Sequence, residues 1–439
     1  MTNLSDLFPA GAGKQVSFVA DGSISAAGEP VILNGAGTVT PVAETSDAVG
    51  TPVVYEAAAT DYTAATFDSS SNKVVIAYQD EGNSNYGTAI VGTVSGTSIS
   101  YGTPVVFESA DSQYISATFD SDSNKVVIAY QDQGNSGHGT GVVGTVSGTS
   151  ISFGTPVVFK SANSDWISAT FDSDSNKVVI AYRISGQGTA IVATVSGTSI
   201  SYGTEVAFES NGSQRISATF DSDSNKVVIA YRDGLSDQGE AVVGTVSGTA
   251  ISFGTPVVFN AATTVYISTT FDSDSNKVVI SYEDKGNSDY GTAIVGTVSG
   301  TSISFGSEAV FESAETEYTS ATFDSIKNKV VIAYQDDANS DYGTVVVGTV
   351  SGTAISFVTP VVFEASLTQY TSAVFDSDSN KVVIAYEDTG NSGYGTGVVF
   401  SVGGSNMTTS NFLGISDAAI SDTASGNITV KGGIAVNGL

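Results

Sequence analysis

The sequence contains no cysteine and a single histidine, His138. The first absence excludes a disulfide framework and any thiolate metal site, and the two together argue against a Ser- or Cys-based triad. Charge is scarce at 14% of residues, and lopsided: 45 acidic side chains face 15 basic ones, for a formal net charge of −30. A field of that sign repels nucleic acid, so none is expected as a partner. No apolar run approaches the length that spans a bilayer, and membrane insertion is not expected. The opening MTNLSDLFPAGAGK lacks the basic region and apolar core of a secretory signal. A protein of this kind working outside a cell would leave it by lysis or by assembly into a particle. Helical periodicity is missing too, so the chain reads as all-β.

What is present is repetition. The segment FDSDSNKVV at 119–127 recurs from Phe171, Phe220, Phe271 and Phe375, with variants from Phe67 and Phe323. The seven Phe-Asp landmarks are spaced by 52, 52, 49, 51, 52 and 52 residues. Each period contains four strand-like runs, A to D, as in 114–120, 125–131, 139–147 and 149–161. A and B are joined by the Ser-Asp-Ser-Asn turn, C and D by a Ser-Gly turn, and B and C by a longer loop. Four strands in about fifty residues, repeated seven times, predict a seven-bladed β-propeller. The chain enters the repeats with a spare D-like strand at 47–57 and leaves them after a C strand, which predicts a three-plus-one closure.

Residues 1–44 and 404–439 stand outside the repeat and read as short alternating strands with Gly turns. They are expected to form one small β-domain into which the propeller, 45–403, is inserted. The pattern GEPVIL…GTVTPV followed by NFLGISDAAISDTASGNITVKGGIAV resembles the β-barrel of phage head-decoration and appendage proteins. The opening NLSDLFPAGAGKQVSF is similar to N-termini of virion structural proteins of marine tailed phages. The resemblance covers about 75 residues, and it implies attachment to other virion proteins or to copies of the chain, and a virion-surface, extracellular location.

Asp-x-Asp-x-Asn is how many calcium loops begin. Here the third position is Ser70 in one copy and Ile326 in another, a Lys follows the Asn every time, and no Glu closes the loop at EF-hand distance. The segment is therefore expected to be a turn whose Asp and Asn bond nearby backbone N–H groups, with no metal. A sialidase-like propeller would need an arginine cluster, a nucleophilic Tyr with a Glu, and Ser-x-Asp-x-Gly-x-Thr-Trp boxes. The nearest text, DQGNSGHGT, lacks the Trp. His138 occupies a slot held by Tyr in other copies, as at Tyr86 and Tyr290. No enzymatic activity and no cofactor are expected.

The A–B and C–D turns barely vary among copies, whereas the D–A and B–C connections do. Recognition is expected on the face where the copies diverge. Five residues before each Phe-Asp lies Tyr62, Tyr114, Trp166, Arg215, Tyr266, Tyr318 or Tyr370. If strand A is innermost these side chains ring the channel mouth, where aromatic planes suit the apolar faces of sugars, although packing between blades explains them too. Arg183, Arg215 and Arg232 are the only arginines, and all lie in connections of adjacent blades near Lys160 and Trp166. They could grip an anionic glycan, or be solvated surface charge. The expected function is a phage surface protein displaying a propeller for host-glycan adhesion. A secreted lectin-like module or filament subunit is the alternative, and a polysaccharide-degrading enzyme a further one.

Overall fold

The computed structural model describes residues 13–431 apart from 28, 29, 35, 43, 406–411, 417, 418 and 422. The parts of the terminal resemblance at 3–12 and 432–439 lie outside the described residues.

Each Phe-Asp segment folds as its composition asks. Asp120 Oδ1 accepts the N–H groups of Asp122 (3.0 Å) and Ser123 (2.9 Å), and Asn124 turns the chain at φ +54°. Asp68, Asp172, Asp221, Asp272, Asp324 and Asp376 accept the same two bonds in their own turns. A carboxylate that accepts two backbone donors at every copy is the anchor of an Asx-type turn. The third strand turns into the outer one through two residues, with Gly148 at φ +63° in the first central position, where only glycine is unstrained.

These turns build seven antiparallel blades. In blade 2 the inner strand is the second half of Val105–Asp120, followed by Lys125–Asp132, His138–Ser147 and Ser150–Phe153. The D–A connections are not loops, as the sequence pattern suggested. After Ser150–Phe153 the chain runs on as one strand, Val157–Asp172. Its start pairs with the third strand of blade 2 (Gly141 opposite Val157) and its end with the second strand of blade 3 (Asp172 opposite Lys177). Only the crossing into blade 4 is interrupted, at Ser210, Asn211 and Gly212 between Val206–Glu209 and Ser213–Asp221. The 49-residue period has a different cause. In blade 3 the B–C loop shrinks to Ser185 and Gly186, at φ +50° and +89°, where five other blades carry a one-turn 3₁₀ helix.

The second strands carry the core. Val126, Val127, Ile128, Ala129 and Tyr130 are all fully buried, alternately facing the two neighbouring blades, and the same five positions are as buried in the other copies. Each large apolar side chain so buried contributes on the order of 2 kcal/mol. Phe107 wedges between Tyr130 (5.1 Å between ring centres) and Phe153 (5.7 Å), a trio repeated around the ring. It leaves no room beside it: a Cβ on Gly139 would fall 2.3 Å from Phe159 in the next copy of that trio.

Seven buried tyrosines each need an acceptor. Tyr78, Tyr130, Tyr334 and Tyr386 donate to Glu56, Glu108, Glu312 and Glu364 of the adjoining strand. Where that glutamate is replaced by Lys160 or Asn260, a glutamate from the same blade's outer edge substitutes: Tyr182 donates to Glu205 (2.8 Å) and Tyr282 to Glu308 (3.0 Å). Between inner strands, Ser116 Oγ accepts the N–H of Ala169 (3.0 Å), and Ser168, Ser217, Ser268, Ser320 and Ser372 repeat the link to the next blade. Blade 1 has Ala64 in this place.

Closure is three-plus-one. The last blade's third strand, Tyr394–Ser401, pairs with Ala48–Val49 and with the start of Val53–Asp68. In the other blades a small residue of the third strand faces an aromatic of the outer one, as Gly144 faces Phe153 and Ala193 faces Tyr202. At the closure the sizes are exchanged, and Phe400 faces Val49.

The chain divides into the propeller, Ala48–Val402, and a second unit made of Met1–Asp47 with Gly403–Leu439. The second unit contains a five-stranded antiparallel sheet in the order Gly13–Val19, Ser425–Lys431, Phe412–Ser416, Pro30–Leu33, Val39–Pro41. Ala20, Ile24, Val31, Val39, Ile420 and Ile428 form its small core.

Candidate functional site

Every inner strand carries a β-bulge at one place, between Gln113 and Ser116 in blade 2. The first bulged residue is left-handed: Tyr62, Tyr114, Trp166, Arg215, Tyr266, Tyr318 and Tyr370 have φ between +48° and +54°. Large side chains disfavour this region by about 1 kcal/mol or more, so seven copies of it mark a position held by its surroundings.

The bulge aims these side chains at one another. Ring centres of Tyr62 and Tyr114 lie 5.2 Å apart, Tyr114 and Trp166 5.2 Å, Tyr266 and Tyr318 5.0 Å, Tyr318 and Tyr370 5.1 Å, and Tyr370 and Tyr62 5.6 Å. Arg215 completes the circle, its Cζ 4.6 Å from the centre of Trp166 and 4.5 Å from that of Tyr266. Successive aromatic planes turn by 48° to 60°, close to one-seventh of a revolution. Six aromatics and one guanidinium thus form a closed collar at the variable end of the inner strands. The half-buried rings contact each other between blades, as the packing alternative expects. Burial pushes the Tyr62 hydroxyl up to about 12, and raises Tyr114, Tyr266, Tyr318 and Tyr370 as well, so all remain neutral donors.

Outside the collar lies a second circle, at the residue after each buried tyrosine of the second strand: Gln79, Gln131, Arg183, Arg232, Glu283, Gln335 and Glu387. Arg183 forms a bidentate pair with Asp165 (2.6 and 2.5 Å), and Arg232 binds Asp237. Both arginines are therefore strand residues already matched to carboxylates. Arg215 has no carboxylate partner among the described residues. Lys160 pairs with Glu205 (2.5 Å), and the two line a small cleft with Ile184, Ser185 and Gln187. Glu283 is fully buried and receives the Lys285 ammonium, which also reaches Asp289 (3.3 Å) and Glu315 (3.5 Å). Glu387 has Asp61 and Glu81 for neighbours instead. Burial first, and then those two charges, push its carboxyl up to about 7, and Asp61 rises to about 6 through burial and Glu81. The collar thus has one unmatched cation among the described residues, Arg215, and an acidic cluster at the junction of blades 7 and 1.

Two polar clefts open on this face. One of about 470 Å³ is lined by Gln113, Tyr114, Gln131, Gln133, Ser136, Asn163 and Asp165. Its neighbour, about 440 Å³, shares Asn163 and Asp165 and adds Arg183, Ser185 and Gly186. Sequence reasoning missed the lining amides, although the slot after the invariant tyrosine, reading Gln, Gln, Arg, Arg, Glu, Gln, Glu, was a visible signal. For a cation, Glu209, Asp233 and Glu240 offer one oxygen each within 4.8 Å of one another. A second trio, Glu283, Asp289 and Glu315, is served by Lys285.

No family model and no curated protein matches the chain. Solved structures do. The periplasmic gluconolactonase PpgL of Pseudomonas aeruginosa is 12% identical, over 80% of this chain and 97% of that one, with a TM-score of 0.53. The Cps50 (Swd1) β-propeller domain from Myceliophteria thermophila is 7% identical, over 80% and 100%, with a TM-score of 0.52. The NanB sialidase of Streptococcus pneumoniae is 13% identical, over 79% and 68%, with a TM-score of 0.44. At these identities the first two likenesses establish the propeller fold alone. The first also corrects one expectation. The gluconolactonase is an enzyme on this fold, so the reading of this chain as no enzyme is withdrawn: the architecture is one that a catalyst uses.

Proposed function

We propose that this protein is a surface-displayed recognition protein whose propeller binds carbohydrate at the collar face. The observation that carries this is the contrast between the two ends of the same strands. At one end seven near-identical Asp-anchored turns satisfy only themselves. At the other, seven left-handed side chains form an aromatic collar, flanked by polar clefts and by every segment that differs between blades. Aromatic planes beside hydrogen-bonding side chains are what sugar rings require, with their apolar C–H faces and hydroxyl edges.

The carrier in this proposal is a phage particle. The terminal segments attach the chain to virion proteins or to copies of itself, at the head or on a tail appendage, and the propeller meets glycan on the host surface. The resemblance of those segments to head-decoration and appendage proteins supports it. Gold labelling of purified particles with an antibody to the propeller is expected to decorate the virion surface; protein found only free in the lysate would refute the viral carrier. A secreted lectin-like module or filament subunit is the second reading, favoured if the label falls on cells.

The binding itself is tested on a broad glycan array and on host cells, with released products followed in parallel, since the fold accommodates turnover. Trp166→Ala and Arg215→Ala are expected to lower binding at least tenfold. Binding that survives both would remove the collar from the site.

A further inference from the structure

The collar face has seven sectors, and one differs from the rest in being lined by amides. Blade 2 has glutamine at all three variable slots, Gln113, Gln131 and Gln133, and the crossing strand into blade 3 adds Asn163. In blade 1 the three slots hold Asp61, Gln79 and Glu81, in blade 5 Val265, Glu283 and Lys285, and in blade 6 Glu317, Gln335 and Asp337. Those sectors carry ionised groups; this one carries none of its own.

The amides are wired into one network. Gln131, only 2% exposed, donates from Nε2 to Asn163 Oδ1 (2.5 Å), and its Oε1 accepts from Gln133 Nε2 (2.6 Å). Gln133 Nε2 also reaches Gln113 Oε1 (3.2 Å), and Gln113 leans on Asp111 (3.3 Å). With the buried Gln131 fixing the rest, Asn163 Nδ2 and Gln133 Oε1 are left over, one donor and one acceptor with no hydrogen bond among the described residues. Tyr114 supplies an aromatic wall, its ring in tilted contact with Trp166. Two carboxylates border the network, and both are met: Asp111 accepts from Gln79 and Gln113, and Asp165 is bridged by Arg183.

We infer that the cleft between blades 2 and 3 is a binding site for an uncharged oligosaccharide, two to three sugar units long. Each hydroxyl is both donor and acceptor, and a side-chain amide offers both to match. An aromatic wall takes the C–H face of a ring. A cleft of about 470 Å³, continued by one of about 440 Å³ across Asn163 and Asp165, lies in the range of small-ligand sites. A carboxylated or sulfated sugar would find no uncompensated cation here, and would desolvate its charge without return. The inference rests on the collar-face reading and names the ligand class for it.

The test titrates the full chain calorimetrically with neutral trisaccharides (maltotriose, cellotriose, N,N′,N″-triacetylchitotriose) and with tri-galacturonate as the acidic counterpart. The same titrations follow on Asn163→Ala and Gln133→Ala, both exposed enough to leave the fold intact, with melting temperatures as the control. At least one neutral trisaccharide is expected to bind, with at least tenfold weaker binding in each variant, and tri-galacturonate is expected not to bind. Preference for the acidic sugar overturns the inference, as does neutral-sugar binding untouched by both variants. If Trp166→Ala and Arg215→Ala still abolish that binding, the collar reading survives while the amide cleft does not. If no sugar binds here and none binds on the array, both fall together.

Discussion

The guanidinium of Arg215 stacks on the indole of Trp166, 4.6 Å from its centre, and presents its other face to Tyr266. A cation between two aromatic planes takes a place that a seventh ring would otherwise hold. Arg215→Tyr is therefore expected to fold with unchanged stability in urea unfolding. Arg215→Ala opens the collar and is expected to cost about 1–2 kcal/mol in urea unfolding, for two lost cation–π contacts.

Glu205 serves two partners, the Lys160 ammonium and the buried Tyr182 hydroxyl. Glu205→Ala leaves that hydroxyl without an acceptor, and a loss of about 1–3 kcal/mol is expected. Adding Lys160→Glu rebuilds the arrangement used by Tyr130 and Glu108, so the double variant should regain most of it in a double-mutant cycle. Additive losses would show that the two sites are not exchanging one role.

Glu387 is 9% exposed and its carboxyl is raised from an ordinary 4.5 to about 7. A carboxyl raised by folding is favoured protonated, so the unfolded chain releases its proton first as pH rises. Stability is then highest below about 4.5 for this group and falls as pH climbs through 7. Melting temperature is expected to be higher at pH 5 than at pH 8. Glu387→Gln should flatten that slope and stabilise the protein at pH 8 by about 2–3 kcal/mol. An unchanged slope would assign the pH dependence elsewhere.

Six serine links join neighbouring inner strands, and the joint from blade 1 to blade 2 lacks one because Ala64 has no hydroxyl. Ala64→Ser is expected to add the seventh, to the N–H of Ala117, and to raise stability by about 0.5–1.5 kcal/mol. Amide exchange at Ala117 should slow in the variant and at no other inner-strand joint.

The blade count, the closure and the turn chemistry were legible because each rests on local pattern: landmark spacing, a spare outer strand, and Asp and Asn at turn positions. The collar residues were legible too, through their constant offset from Phe-Asp. Their left-handed backbone was not, since Tyr, Trp and Arg carry no preference for it and only the bulge imposes it. Nor did the sequence reveal that Arg183, Arg232 and Lys160 are neutralised. Asp165 lies 18 residues from Arg183 and Glu205 lies 45 from Lys160, and strand register alone brings them together. The D–A segments looked like loops because they are polar and variable, yet backbone pairing on both sides holds them extended.

Phe400 facing Val49, where every other blade sets a small residue against a large one, has a bearing on how the ring is counted. The strand that closes it precedes all seven third strands in the chain, and six of those have an outer strand of their own through a two-residue hairpin. Pairing with any of those would set Val49 against glycine or alanine and leave a hole, giving a ring with too few members. Only the seventh offers a side chain that fills the space. The chain thus distinguishes its last repeat from its copies by shape complementarity at a single rung, a checksum on ring size that near-perfect repetition would otherwise erase.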